Sequence, residues 1–252
     1  MSIITLTSDF GWRDHYLSSL KGKLLCQIPN TTIIDISHEV MPQNVIDASF
    51  IFKNAYANFP EQTIHIVAVD LAGTSNIKLL YCHHENMHFI IPDNGIISLV
   101  FEELPKNIIE IDLLGFPLYI SYKEIFAYLC EKISNHEPIE GKLVQSIKSF
   151  TMLRPMTYPD MIKGSVIYID HFDNAITNIK KNEFDAIRKE RSYEIQFSKN
   201  ILQLSETYSN VPEGEKLCLF NSIGLLEIAI NKGNASSLLN LKGGSTIQIF
   251  FK

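Results

Sequence analysis

Residues 3–16 read Ile3-Ile4-Thr5-Leu6-Thr7-Ser8-Asp9-Phe10-Gly11-Trp12-Arg13-Asp14-His15-Tyr16. An apolar run rich in β-branched residues stops in a polar turn, and a helix-like pattern follows over 16–27. Strand, turn and helix in this order open an α/β unit. In such folds ligands collect at the carboxyl ends of strands, where side chains are exposed and helix N-termini converge. Asp9 and Asp14 stand at that place. A carboxylate there can grip vicinal hydroxyls or an ammonium group. Asp14 sits where it could also cap the helix, so capping and ligand contact are both open for it. Asp9 comes too early to cap and reads as a binding group.

The alternation continues outward from this stretch. Residues 32–36 and 63–69 are further Ile-, Val- and Thr-rich strands, and 45–58 carries an apolar stripe near the helical period. Residues 78–82 and 88–91 look like an antiparallel pair around the polar 83–87 turn. Residues 95–104 and 122–133 are expected helices. Strand–helix–strand alternation implies a mostly parallel sheet covered on both faces. Between about 134 and 163 the pattern weakens and Pro138, Gly141, Pro155 and Pro159 appear, which marks a domain connection. Beyond it lie shorter strands at 165–169, 175–179, 193–197, 216–220, 225–231 and 245–250, divided by turn residues. That spacing suits a small β-barrel or sandwich. The expected organisation is an N-terminal α/β sandwich domain over 1–150 and a smaller C-terminal β-barrel domain over 151–252.

Composition narrows the function. With 252 residues, 46% hydrophobic and 20% charged, the chain can bury a large core. Its net charge of −6 disfavours nucleic acid as a partner. The basic residues at 180–191 alternate with Glu183, Asp185 and Glu190 and read as a solvated face. No run approaches the ~18 apolar residues of a membrane span, and no signal peptide is apparent. Cys26, Cys82, Cys130 and Cys218 are far apart in apolar surroundings and read as buried free thiols, which points to the cytoplasm. His83, His84 and His88 lie on a turn without partner carboxylates, so a solvated loop outweighs a metal site. The chain has no P-loop, no GxGxxG after the first strand and no GxSxG.

Asp70 closes the 63–69 strand at the same end of the sheet as Asp9, although an Asp there also suits an Asx-turn. Pro92-Asp93-Asn94-Gly95 is a turn before a helix. Residues 164–179 place Phe172 and Asn174 at one hairpin, and a purine needs a flat apolar surface and amide partners of that kind. Residues 221–231 join a polar turn to a strand.

Together these stretches resemble the S-adenosyl-L-methionine (SAM) hydrolases, or SAM hydroxide adenosyltransferases, relatives of the SAM-dependent fluorinase and chlorinase. The resemblance rests on TLTSDFG with its later Asp at 5–14, Lys21-Gly22, DISHE at 35–39 and KNAYANFP at 53–60. It continues through the strand ending in Asp70, PDNG at 92–95, DHFDNAITNI at 170–179 and NSIGLLEIAINKGNA at 221–235. It implies an α/β domain followed by a β-barrel, and a homotrimer with SAM bound at subunit interfaces. It implies hydrolysis of SAM to adenosine and methionine by attack at ribose C5′, with no metal or other cofactor. Carried over by position, Asp9, beside Phe10, holds the ribose hydroxyls and Asp14 the methionine amino group. Phe172 and Asn174 line the adenine, Asn221, Ser222 and Glu227 complete the far wall, and Asn94 belongs to the binding set.

The chain departs from the family at the water-orienting Asp–Arg–His set. Asp70 is present, but Asn76 or Lys78 stands at the Arg position and Ser121 at the His position. Asp173 replaces a turn Gly, and Gln43 an aromatic beside the sugar. The resembling halogenases replace the Asp itself, so retention of Asp70 favours hydrolysis over halide transfer. Asp70 is the expected catalytic residue, with Asn76, Lys78 and Ser121 as helpers. Nucleoside or SAM binding without turnover is the alternative.

Overall fold

The computed structural model describes residues 2–71, 78–113, 121–198 and 200–252, and the chain divides into two compact units, Met1–Thr151 and Met152–Lys252. The first contains β1 (Ser2–Ser8), α1 (Tyr16–Gln27), β2 (Thr31–Ser37), α2 (Val45–Lys53) and β3 (Ile64–Ala68). It continues with β4 (Leu79–His84), β5 (Met87–Pro92), α3 (Ile96–Val100), β6 (Ile108–Ile111), α4 (Tyr122–Ser134) and β7 (Gly141–Leu143). The seven strands form one sheet in the order β2-β1-β3-β5-β4-β6-β7. The β2-β1-β3-β5 half is parallel, and β4, β6 and β7 extend it antiparallel.

Strand alternation divides the apolar residues between two faces of this sheet. Ile4 and Leu6 of β1 and Ile64 and Ile66 of β3 pack with Leu17, Leu20 and Leu24 of α1 and with Ile125, Phe126 and Leu129 of α4. The leucines of α1 recur every three or four residues, so one helix face covers one sheet face. On the other face Val67, Leu80, Phe89 and Ile91 meet Ala48 and Phe52 of α2 and Ile96, Ile97 and Val100 of α3. The parallel strands are thus buried on both sides, and all their carboxyl ends open in one direction.

The second unit contains β8 (Met156–Thr157), β9 (Met161–Ile169), β10 (Ala175–Lys180), α5 (Lys181–Arg188), β11 (Tyr193–Phe197) and β12 (Asn200–Leu202). β13 (Lys216–Phe220), β14 (Leu225–Ile230), α6 (Ala235–Leu239) and β15 (Thr246–Phe251) follow. The sheet runs β12-β11-β15-β9-β10-β14-β13, with β8 paired to β9. Its two ends approach each other: Cys218 N of β13 donates to Gln203 O at 2.9 Å, and Ser205 N donates to Cys218 O at 2.8 Å. The result is a nearly closed barrel around Ile162, Val166, Ile195, Leu226, Ile228, Ile247 and Ile249. Gly164 permits the close approach of β9 and β10, since a Cβ there would lie 2.4 Å from the Ile179 side chain.

Several elements differ from the sequence expectation. The helix expected over 95–104 is only Ile96–Val100. The presumed connection contributes β7 to the first sheet and β8 to the second, while β6 and β12 were not expected. The charged 181–188 stretch forms α5, anchored by Phe184, which is 1% exposed. Cys82, Cys130 and Cys218 are buried thiols, but Cys26 is exposed, on the outer side of α1. Among the described residues no helix is long and apolar enough to cross a membrane.

His65, on β3, is fully buried. Its ring stacks on Phe89 at 5.0 Å, and its Nδ1 shares a 2.7 Å hydrogen bond with Thr5 Oγ1. Burial, helped by the nearby His88, pushes the imidazole from an ordinary 6.5 down to about 4. The unfolded chain therefore binds this proton first as pH falls, so stability is complete above about 6.5 and declines toward about 4. The expected loss from this group by pH 4 is roughly 3 kcal/mol. His65→Asn, which keeps a polar atom opposite Thr5, should remove that component from urea-unfolding free energies compared between pH 7.5 and pH 4.

Candidate active site

At the carboxyl end of β1 the chain turns sharply through Asp9 and Phe10. Gly11 takes φ +67°, a conformation that costs glycine little, and its N–H donates to His38 O at 2.9 Å. The neighbouring strand ends reach the same place. Asp70 and Gln43 both adopt left-handed backbone conformations, with φ 56° and 63°. Their N–H groups converge on one atom. Asp9 Oδ2 accepts from Gln43 N at 2.9 Å and from Asp70 N at 3.1 Å. Two uncommon backbone geometries are therefore held by one carboxylate oxygen.

These residues border a cavity of about 640 Å³. Its charged and polar groups include Asp9, Asp70, His15, Lys123, Gln43, Ser19 and Ser121. Phe10, Tyr16, Leu20, Tyr122 and Phe126 supply most of the rest, so the surface is largely apolar with a few polar groups. α1 and α4 pack together beside the sheet, and the cavity draws Ser121, Tyr122 and Lys123 from the start of α4.

Asp9, Phe10, Asp70 and Ser121 lie together on this cavity. Asp14 is exposed in the turn and does not line it. Nor does Asp14 cap α1: His15 holds the N-cap position, with no side-chain capping bond. Asn94 is buried behind the site, where its Nδ2 donates to Val69 O at 3.0 Å and so braces the backbone leading into Asp70. Lys78 is engaged elsewhere, 2.6 Å from Glu110. Ser121 Oγ donates to Glu124, which keeps the Glu124 carboxyl below its usual range. Asn76 lies outside the described residues.

The second unit holds the remaining candidates. Asp170 Oδ1 accepts from Phe172 N at 2.9 Å and Asn174 N at 2.8 Å, closing an Asx-type turn. Asn174 is buried, and its Nδ2 donates to Asp170 Oδ2 at 3.1 Å. The Phe172 ring is 73% exposed at the tip. Asp173 has φ 66°, and its side chain accepts from Ser237 N at 2.8 Å at the start of α6. An Asp in place of Gly is tolerated in that conformation, and here it also satisfies a helix N–H.

Glu227 on β14 is 3% exposed, and its carboxylate accepts from Tyr208 OH at 2.5 Å and from Asn221 Nδ2 at 3.2 Å. Asn221 Oδ1 accepts from Ile223 N and Leu225 N, and Ser222 is exposed beside it. Lys181 N donates to Gly224 O, so the 221–224 turn stands at the opposite end of β10 from the Phe172 turn. Reading the sequence missed Tyr208, which lies in a polar loop and carries no local motif. Cavity residues His15, Tyr16 and Tyr122 were missed as binding groups for a similar reason: turn and helix patterning account for them without a ligand.

Comparison with known proteins settles the kinship. Residues 4–141 match the N-terminal domain model of the SAM hydroxide adenosyltransferases, and residues 164–248 match the C-terminal one. The chain belongs to the SAM hydroxide adenosyltransferase family. It is 31% identical over its whole length to the (R)-S-adenosyl-L-methionine hydrolase of Methanocaldococcus jannaschii, covering 97% of that protein. It is 26% identical to the (R)-S-adenosyl-L-methionine hydrolase of Thermus thermophilus, over 99% of this chain and all of the relative. A fluorinase from Nocardia brasiliensis is more distant, at 24% identity over 98% of this chain and 96% of its own. The crystal structure of an uncharacterized conserved protein from Thermotoga maritima superposes with a TM-score of 0.85 at 30% identity, covering 98% of this chain and 99% of the other.

Tyr208 and Glu227 provide a direct check on the second unit of this family member. Burial raises the Tyr208 hydroxyl well above its ordinary value, reinforced by the Glu227 carboxylate. Tyr208→Phe leaves a buried carboxylate short of a partner and should cost about 1.5–3 kcal/mol in urea unfolding.

Proposed function

We propose that the protein hydrolyses S-adenosyl-L-methionine to adenosine and L-methionine. The observation that carries this reading is the pairing of Asp9 and Asp70 on one cavity, joined through the 3.1 Å bond from Asp70 N to Asp9 Oδ2. Family membership supplies the substrate class, and two relatives named as hydrolases, at 31% and 26% identity, are closer in sequence than the fluorinase at 24%.

In the proposed reaction, a water oxygen forms a bond to ribose C5′ while the C5′–sulfur bond breaks. The bonding pair leaves with sulfur, converting the sulfonium into the neutral thioether of methionine, and the water proton passes to a base or to solvent. A sulfonium is already a good leaving group, so the scheme needs neither a metal nor an organic cofactor. Catalysis then consists of aligning the water and removing competing solvent. Asp9 holds the ribose hydroxyls with the lone pairs its backbone bonds leave free. Asp70 orients or deprotonates the water. Lys123 lines the same cavity, and among the described residues no carboxylate lies within ion-pair distance of it. It is therefore better placed to stand in for the family Arg than Lys78, which Glu110 holds.

The proposal extends to substrate contacts beyond the cavity. Phe172 and Asn174 receive the adenine, Asp14 the methionine amino group, and Asn221, Ser222 and Glu227 the far wall, in a homotrimer with SAM held where subunits meet. The exposed aromatic ring of Phe172 supports this reading, because a ring presented at a loop tip, touched only edge-on by His171 among the described residues, gains from stacking on a base.

A second reading, nucleoside binding without turnover, is favoured by one observation. Ser121, at the position of the family His, spends its hydroxyl on Glu124. Product analysis separates the two. Purified protein mixed with SAM should release adenosine and methionine in equal amounts. Asp70→Ala should lower that rate by about a hundredfold or more while adenosine affinity stays within a few-fold. Lys123→Met should lower kcat in the same direction. Tight adenosine binding with no methionine released would instead establish the second reading.

A further inference from the structure

Lys21 and the Asp35–Glu39 segment stand out in the sequence, yet none of these residues lines the cavity. They form a connected polar chain behind it. Lys21 Nζ on α1 donates to Asp35 Oδ2 at 2.6 Å, and His38 Nε2 lies 2.9 Å from Asp35 Oδ1. His38 Nδ1 is 2.7 Å from Ser8 Oγ, which in turn accepts from Phe10 N at 3.4 Å. Gly11 N donates to the His38 carbonyl. The chain therefore runs from α1 through the end of β2 and terminates on the backbone that carries Asp9.

Ser8, His38 and Asp35 have the composition of a hydrolytic triad, but not its arrangement. Ser8 and His38 are each 1% exposed, and the hydroxyl meets Nδ1 while the carboxylate meets Nε2. An attacking serine needs the opposite pairing and access to substrate. The orientation instead suits a relay of fixed polarity. A neutral His38 with its proton on Nε2, facing Asp35, offers Nδ1 as an acceptor, so the Ser8 hydroxyl donates to it and keeps a lone pair for Phe10 N–H. Nε2 and Oδ1 stand 2.9 Å apart in ion-pair contact without a well-directed hydrogen bond, and neither atom has another hydrogen-bond partner among the described residues. Burial favours the neutral imidazole, outweighing the pull of Asp35; burial also opposes the Asp35 charge, but the contact with His38 and the Lys21 hydrogen bond hold its carboxyl below the usual range. Trp12 stands edge-on to His38 at 4.9 Å and under the Lys21 ammonium, covering the relay.

We propose that the Lys21–Asp35–His38–Ser8 chain is a positioning device for the Asp9 carboxylate, fixing the Ser8–Gly11 turn so that Asp9 Oδ2 meets the Gln43 and Asp70 N–H groups and the rest of the carboxylate faces the cavity. Ser8 supplies the last link, and Lys21 anchors the far end from outside the cavity. Buried hydrogen-bonded networks of this kind hold a single geometry because every broken member leaves a desolvated polar atom unpartnered. The ligand consequence, control of affinity for a ribose diol, rests on the function proposed for Asp9; the geometric consequence does not.

Two measurements keep these apart. Adenosine affinity by calorimetry, on the full chain, forms a double-mutant cycle of Ser8→Ala with Asp9→Asn. Each single variant should bind about tenfold more weakly, and the pair no more weakly than Asp9→Asn alone, as coupled groups behave. Lys21→Gln, at a partly exposed position outside the apolar core, should lose affinity several-fold in the same direction. Losses that multiply, or a Ser8→Ala protein that binds like wild type, overturn the proposal. If Asp9→Asn itself binds adenosine unchanged, the diol role fails, and hydrogen exchange decides the relay alone. Ser8→Ala and Lys21→Gln should accelerate amide exchange at Gln43 and Asp70 while the interior amides of β3 stay protected. Unchanged exchange at both positions would refute it.

Discussion

One carboxylate oxygen organises the candidate site. Asp9 Oδ2 accepts two backbone N–H groups, from Gln43 and Asp70, which belong to loops far apart in sequence. Both donors have positive φ without being glycine, a conformation that persists only where the surroundings hold it. A charged acceptor in a partly buried position is strong enough to do so. The cavity floor is therefore set by an electrostatic constraint as much as by packing. The parallel sheet matters because it brings the ends of β1, β2 and β3 to one edge, within reach of a single short side chain.

Behind that edge, the two faces of the sheet carry different burdens. The α1–α4 face is almost wholly aliphatic and supplies one cavity wall from its helix ends. The α2–α3 face contains an aromatic cluster around Phe52, Phe89 and the neutral His65. The polar relay from Lys21 to Ser8 runs between helix and strands at the carboxyl end, where burial is incomplete and an ionised Asp35 can be supported. In the barrel unit the same economy appears in the fully engaged carboxylates of Asp170 and Glu227. Each spends its oxygens on turns and neighbouring side chains, which shapes loop geometry before any ligand arrives.

Much of the fold was legible in the sequence because periodicity reports burial. The strand at 3–7, the leucine stripe of α1, the antiparallel β4–β5 pair and the change to short strands in the second half all follow from it. Elements stabilised mainly by tertiary contact were not legible. β7 is three exposed residues that become a strand only beside β6, and α5 is a charged segment held by one buried phenylalanine. The short α3 shows the converse, since its apolar run continues past the point where Phe101 turns extended.

For the candidate site, the sequence by itself determined the residue types: a strand-end Asp9, a second Asp70 and the Phe172–Asn174 hairpin. Local pattern suffices there, because turns and strand ends are short-range features. Only the tertiary structure decided which groups meet. It set Lys123 and His15 on the cavity, took Lys78 away to Glu110, turned Asn94 inward to brace the strand leading to Asp70, and joined Lys21 to Ser8 through Asp35 and His38. Those outcomes depend on helix rotation, strand order and burial, which bring together side chains that one-dimensional spacing leaves unrelated.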